Sequence, residues 1–264
     1  METLILLILS ILPVILIGIF IRTRDKEMEP KGLVIKLFFC GVGSIVLTLI
    51  LTAIISIFYP AILSQDQFIY DVNLFELFIV TFFAIGLVEE ISKWFFVYTV
   101  SYNSKHFDET FDMIVYAVFV SLGFACLENI LYVFGNYSIK VALLRAILSV
   151  PGHACDAVFM GYYLSKAKLC HISGDIKNKR INMFKSIAVP TLMHGTYDFL
   201  AFGNSIILMI LFIVYIILMY VFTIIKVVQA SSQSFKFKYK YNFCGVCGRR
   251  VNSRYCPVCG SKNE

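Results

Sequence analysis

Glu89 and Glu90 stand side by side, followed by Lys93, in the stretch Gly86-Leu-Val-Glu-Glu-Ile-Ser-Lys-Trp94, which is otherwise apolar enough to lie in a membrane. A charged side chain at the centre of a spanning helix costs roughly 2.5–3.5 kcal/mol on insertion scales. These groups must therefore face one another, other polar groups or water. On an α-helix Lys93 can pair with either acid, three or four residues back. An ion pair needs one carboxylate, so the second one points to chemistry. Two neighbouring carboxylates in a dry site divide into a proton donor and a proton acceptor.

More residues of the same kind follow in order. Phe124 and Glu128 share a helix face, four residues apart. Next come His153 and Asp156 just after Pro151-Gly152, and His194 and Asp198 shortly after Pro190. A carboxylate beside an imidazole fixes its tautomer and raises its basicity, whether the ring is a base or a metal ligand. Arg145 lies nearer the outer end of its segment, as a snorkelling or partner charge. Left unpaired, Glu89, Glu90, Lys93, Glu128, Asp156 and Asp198 would together cost on the order of 15–20 kcal/mol. Convergence on one internal site is the economical arrangement. A water held between a carboxylate and an imidazole, with polar groups to stabilise a developing oxyanion, describes hydrolysis, and a peptide bond is the natural target. The Glu-His-His-Asp set could equally hold a catalytic zinc, with His153 and His194 as ligands.

The elements that must position these residues are helices. The chain has 264 residues, 59% of them hydrophobic and only 15% charged, and its mean hydropathy is +0.82. This excludes an ordinary soluble domain. Apolar runs without period-2 alternation favour helices over a barrel. The fold expected is an all-α polytopic membrane protein with about seven spans, near 3–22, 34–59, 74–100, 111–134, 141–165, 183–203 and 206–227. The fifth is expected to break at Pro151-Gly152. Leu4 to Phe20 has no basic leader and no small-residue cleavage site, so it reads as a retained helix.

The net charge of +6 resolves loop by loop. Arg22, Arg24, Lys26 and Lys31 follow span one, Lys166, Lys168, Lys177, Lys179 and Arg180 follow span five, and Lys226, Lys236, Lys238 and Lys240 follow span seven. The loop with Asp66 and Asp71 has no Lys or Arg. The positive-inside rule then places the N-terminus outside and the C-terminus in the cytoplasm of a multi-pass protein of the cell membrane. The loop after span three votes weakly, Lys105 being outnumbered by Asp108, Glu109 and Asp112. With this topology Glu90 falls toward the cytoplasmic side and Glu128 toward the outer side.

Residues 1–230 read as the membrane domain and 231–264 as a separate cytoplasmic tail. Phe235 to Phe243 alternates aromatic and basic residues, which suits a short strand or a segment on the lipid surface. Nucleic acid is its least favoured partner. Cys244-Gly-Val-Cys247 and Cys256-Pro-Val-Cys259 form two knuckles, expected to build a structural-zinc ribbon over 243–260. The predicted compartment argues against disulfides. Cys40, Cys126, Cys155 and Cys170 lack metal-like spacing and read as small apolar fillers.

Glu-Glu-x-x-Lys (89–93), Phe-x-x-x-Glu (124–128), His153 and His-x-x-x-Asp (194–198) resemble the PrsW family of intramembrane proteases. That family is related to the CAAX-prenyl endopeptidases and, remotely, to the anterior-pharynx subunit of γ-secretase. The resemblance covers roughly residues 74–203. Against the CAAX branch, Lys93 is spaced differently where that branch has arginine, Glu128 replaces histidine and Asp198 replaces asparagine, which argues against prenyl-protein processing. The resemblance implies cleavage of a membrane-bound protein, as in site-1 cleavage of an anti-sigma factor. Glu89 and Glu90 would supply the base, Glu128 and His153 would complete the site, and His194 with Asp198 would bind metal or steady the oxyanion. The tail could recruit a cytoplasmic protein. Two other classes use such residues: a non-catalytic membrane scaffold, which packs with them, and a proton-coupled transporter. No inverted repeat supports the transporter.

Overall fold

The computed structural model describes residues 2–59, 73–237, 244, 246, 247, 249, 251 and 255–261. Helices dominate. α1 is Glu2–Arg24 and α2 Lys31–Phe58; α3 runs without interruption through Leu74–Ile79, a π-helical Val80–Gly86 and Leu87–Ser101. α4 is Asp112–Asn136, α5 Ile139–Ile147, α6 Ser149–Ile172, α7 Ile176–Phe202 and α8 Ile206–Ser232. Five stretches are long and apolar enough to cross a membrane by length and composition: α1, α2, α4, α5 with α6, and α8. α3 and α7, the remaining long helices, carry Glu89, Glu90, Lys93, His194 and Asp198 and complete the seven expected. The acidic loop with Asp66 and Asp71, and positions 238–243 of the alternating segment, lie outside the described residues.

The fifth span breaks elsewhere than expected. The chain turns at Leu148, and Pro151 sits in the first turn of α6. A first-turn proline lacks an N–H that has no intrahelical partner anyway, so it starts this helix and does not interrupt one. The short α5 is capped by the Ser138 hydroxyl, which accepts from Val141 N–H.

α4 is the most enclosed span, packed by α2 on one side and α6 on the other. Small residues permit that approach. A Cβ on Gly41 of α2 would fall 1.8 Å from the Val120 carbonyl oxygen, and one on Gly123 of α4 would fall 1.9 Å from that of Phe38. Such close backbone contact is how helices associate where lipid offers no hydrophobic drive. Toward the C-terminal end of α3, Trp94 donates to the Ser186 hydroxyl of α7 at 2.8 Å and stacks on Tyr98.

After α8 the chain folds back over the loop between α3 and α4. Phe237 N–H donates to the Asp108 carbonyl at 2.7 Å, Thr110 N–H donates to that of Phe235 at 3.2 Å, and Glu109 with Lys236 forms an isolated antiparallel bridge. Phe237 packs edge-on against Phe107. Part of the expected strand is thus a bridge to the membrane domain.

Candidate active site

α3, α4, α6 and α7 each bring polar side chains to one point at mid-bundle. The π-helical turns of α3 end at Gly86, immediately before the glutamates, and such bulges recur at functional sites. There α3 and α7 meet closely, because a Cβ on Gly195 would lie 2.6 Å from the Phe82 ring. That approach sets Glu90 of α3 against His194 of α7, Oε1 to Nδ1 at 3.0 Å.

Lys93 is the hub of this cluster. Its Nζ lies 2.7 Å from Glu90 Oε1, 3.2 Å from Glu89 Oε2 and 3.1 Å from His153 Nδ1, and sits over the face of Phe124. The other nitrogen of His153 is 3.0 Å from Glu128 Oε2, which also accepts from Arg145 at 2.6 Å. Glu90 and Glu128, expected toward the cytoplasmic and the outer side of their spans, are thereby joined through one lysine and one histidine.

His194 is flanked by acids on both edges. Nε2 is 3.4 Å from Asp198 Oδ2 and 3.8 Å from Glu89 Oε2, while Nδ1 is also 3.6 Å from Asp156 Oδ2. Asp156 therefore stands beside His194 and not beside His153, its neighbour on α6. Its Oδ1 and Glu90 Oε2 are buried without a hydrogen-bond partner among the described residues.

The sequence left two partners unassigned. Arg145 is the counter-charge of Glu128, and it also reaches Asn129 Oδ1 at 3.1 Å and lies over the Tyr132 ring. Asn129, fully buried, donates to the Ser10 carbonyl of α1. The available signal was an arginine one short helix away from an unpaired intramembrane glutamate.

A cavity of about 370 Å³ opens onto this cluster. Glu89, Glu128, His153, Asp156, His194 and Asp198 line its floor, and Leu144, Arg145, Leu148, Tyr197, Phe202 and Phe212 its walls. A second cavity, about 240 Å³, reaches Glu89 and Glu128 past Thr48 and Thr52 of α2. Glu89 lines both and is 8% exposed, whereas Glu90 lines neither and is 0% exposed.

Glu89, Glu90, His153 and His194 each offer a ligand atom within 4.8 Å of the others. Two imidazoles and two carboxylates suit zinc, and the orphaned Glu90 Oε2 is a free donor at that point. By type these residues suit a metal ion, and the cation that stands among three of them here is the Lys93 ammonium, at 2.7, 3.2 and 3.1 Å from Glu90, Glu89 and His153. Cys244, Cys247, Cys256 and Cys259 form a second set within the same limit. Cys244 Sγ is 3.3 Å from Cys259 Sγ and Cys247 Sγ 3.5 Å from Cys256 Sγ, too long for disulfides and compatible with tetrahedral zinc.

Residues 29–225 match the family described as PrsW family intramembrane metalloprotease. A protein named Protease PrsW from Clostridioides difficile is 35% identical over 240 residues, covering 88% of this chain and 93% of that one. Its namesake in Oceanobacillus iheyensis is 36% identical, covering 85% and 95%. In Bacillus subtilis the figures are 36%, 76% and 85%. No solved structure matches the chain.

Proposed function

The chain belongs to the PrsW family of intramembrane metalloproteases, and from that premise we propose that Glu89 is its general base and that it clips a membrane-anchored protein near the outer face. The observation that carries the assignment is the unequal access of the two glutamates: Glu89 lines the cavity and Glu90 is sealed behind it.

The chemistry follows from these positions. Glu89 takes a proton from a water in the cavity as its oxygen adds to the peptide carbonyl carbon. Arg145, a cation at the cavity, opposes the charge that develops on the carbonyl oxygen. When the carbon–nitrogen bond breaks, Glu89 returns the proton to the leaving amine. Glu90 and Asp198 hold the His194 ring between them, and Glu128 holds that of His153. A zinc ion held by His153, His194 and Glu90 would take the place of the Lys93 ammonium and of one present partner on each ring. Bound there, it would supply Lewis acidity and a more acidic water.

The basic residues between α1 and α2, between α6 and α7 and after α8 support a cytoplasmic assignment for those ends. The cavity wall at Leu144, Phe202 and Phe212 lies near the opposite helix ends. The N-terminus is then outside and the substrate enters from the outer side, as site-1 cleavage of an anti-sigma factor requires. On this reading 1–230 is the protease unit. The tail from 231 carries a structural zinc on its four cysteines and offers a surface to a cytoplasmic partner.

The test compares membrane-protein N-termini in cells carrying the wild type, Glu89→Gln or Glu90→Gln at matched expression. New termini that vanish in Glu89→Gln, and reappear with purified protein, support the reading and name the substrate. Identical termini in folded variants under envelope stress reject it.

A further inference from the structure

A second set of carboxylates gathers outside the intramembrane site. Asp25 and Glu29 lie between α1 and α2, Asp108 and Glu109 in the loop before α4, and Asp112 in the first turn of α4. One oxygen from each of Glu29, Asp108 and Asp112 falls within 4.8 Å of the other two. Acids in connecting loops ordinarily stay in water. Here Asp25, Glu29, Glu109 and Asp112 are all buried, Asp112 to 1% exposure and Asp25 to 7%.

Their hydrogen bonds satisfy only part of them. Asp112 Oδ2 accepts the N–H groups of Asp108 and Glu109 at 3.0 and 2.7 Å, Asp25 Oδ2 accepts that of Glu29 at 3.4 Å, and Glu109 Oε2 accepts from the Ser234 hydroxyl at 3.1 Å. Asp112 Oδ1 and Asp25 Oδ1 are buried with no hydrogen-bond partner among the described residues. The Asp112 orphan belongs to the same carboxylate that meets Glu29 and Asp108. Nearby cations do not reach it. Lys236, half-exposed, binds Glu27 and stands 4.0 Å from Asp108 at the rim, and Arg22 donates to the backbone carbonyl of Glu29 and not to its side chain.

A buried carboxylate without a counter-charge carries a penalty of several kcal/mol, which either a proton or a positive partner relieves. Donors that are all oxygen, and mostly carboxylate, select a hard cation over zinc or copper. We infer that Glu29, Asp108 and Asp112, backed by Asp25, form a site for a hard divalent cation of the Mg²⁺ and Ca²⁺ class at the juxtamembrane end of the bundle. Asp112 Oδ1 becomes a ligand, and half-exposed Asp108 leaves room for the waters Mg²⁺ retains. The ion ties the α1–α2 loop to the start of α4. Through Glu109 and Ser234 it also secures the place where the tail leaves the membrane domain. The site is independent of the protease assignment.

Terbium is an oxygen-seeking stand-in whose emission is sensitised by a nearby tyrosine, and Tyr116 lies beside Glu29. TbCl₃ is titrated into the purified full-length protein, and emission is followed with MgCl₂ or CaCl₂ as competitor. The expected result is saturable emission that either competitor displaces. Affinity should fall about tenfold or more in Asp112→Asn and in Asp108→Asn, as loss of a metal-site group commonly does, and stay unchanged in Glu90→Gln. Asp108 is half-exposed, so its variant keeps the test valid if Asp112→Asn fails to fold. Wild-type curves in both aspartate variants, loss of emission in Glu90→Gln alone, or failure of both competitors would overturn the inference.

Discussion

The protein buries two sets of carboxylates, and they are balanced differently. At mid-bundle, Glu89, Glu90, Glu128, Asp156 and Asp198 alternate in space with Lys93, Arg145, His153 and His194. At the juxtamembrane end, Asp25, Glu29, Glu109 and Asp112 gather with Arg22 part-buried beside Asp25 and Lys236 at the rim. The first set carries its own counter-charges, which suits a medium where none can be recruited. The second is open to solution and can borrow a proton or an ion. A polar cluster's sensitivity to its surroundings thus depends less on how many acids it buries than on whether the chain supplies their partners.

The sharpest way to break this comparison is inside the balanced set. Glu89→Gln keeps shape and an acceptor for Lys93 while removing the base, so peptide hydrolysis should fall about 10²–10⁴-fold, the usual weight of general-base catalysis. The thermal midpoint should stay near wild type, and cleavage of the substrate by purified protein measures the first effect. A non-catalytic scaffold would show the reverse. Lys93→Met strands Glu89 and Glu90 together in the bundle. Removing one partner of a buried pair costs about 3–5 kcal/mol, so this variant should unfold at a clearly lower temperature in detergent. A double variant, Lys93→Met with Glu90→Gln, should recover part of that loss.

Arg145→Met should do less, because Arg145 and Glu128 are partly open to the cavity. Hydrogen bonds to charged groups are worth about 1.5–3 kcal/mol. Glu128 would keep His153, so the expected signature is a drop in turnover larger than the drop in stability. Equal turnover in Arg145→Met would remove the arginine from the proposed charge stabilisation.

Legibility in the sequence follows the same division. Charges inside apolar runs stand out because membrane insertion penalises them, so Glu89, Glu90, Lys93, His153, His194 and Asp198 are conspicuous from residue type and position alone. Rotation of one helix against another is not: His153 meets Glu128 on α4 and not Asp156, because tertiary packing decides which face of α6 turns to which neighbour. The break at Leu148 is hidden too, since Pro151 is a strong breaking signal only beyond the first turn. The acids at 108–112 read as a weak topology vote in a solvated loop. Their burial depends on residues 234–237 closing over them, a contact across more than a hundred positions that no local pattern announces.

The smallest effect sharpens the open set. Glu29 lies outside the spans, and burial pushes its carboxyl up to about 7, with Asp25, Asp108 and Glu109 raising it further against the opposing bond from Tyr116. The folded state therefore holds a proton there that the unfolded chain, near 4.5, has released. Stability from that proton is fully present below about pH 4.5 and is lost as pH rises through 7. In EDTA the thermal midpoint should decline by a few degrees across this window. Glu29→Gln should flatten only part of the decline, because burial raises Asp25 beside it as well. Saturating Mg²⁺ or Ca²⁺ should flatten it in the wild type, because the ion replaces the proton as the partner of these oxygens. A slope in wild-type protein that is the same with EDTA and with either ion would mean the set is served by protons alone, and the contrast between the two clusters would then be one of protonation and not of ion binding.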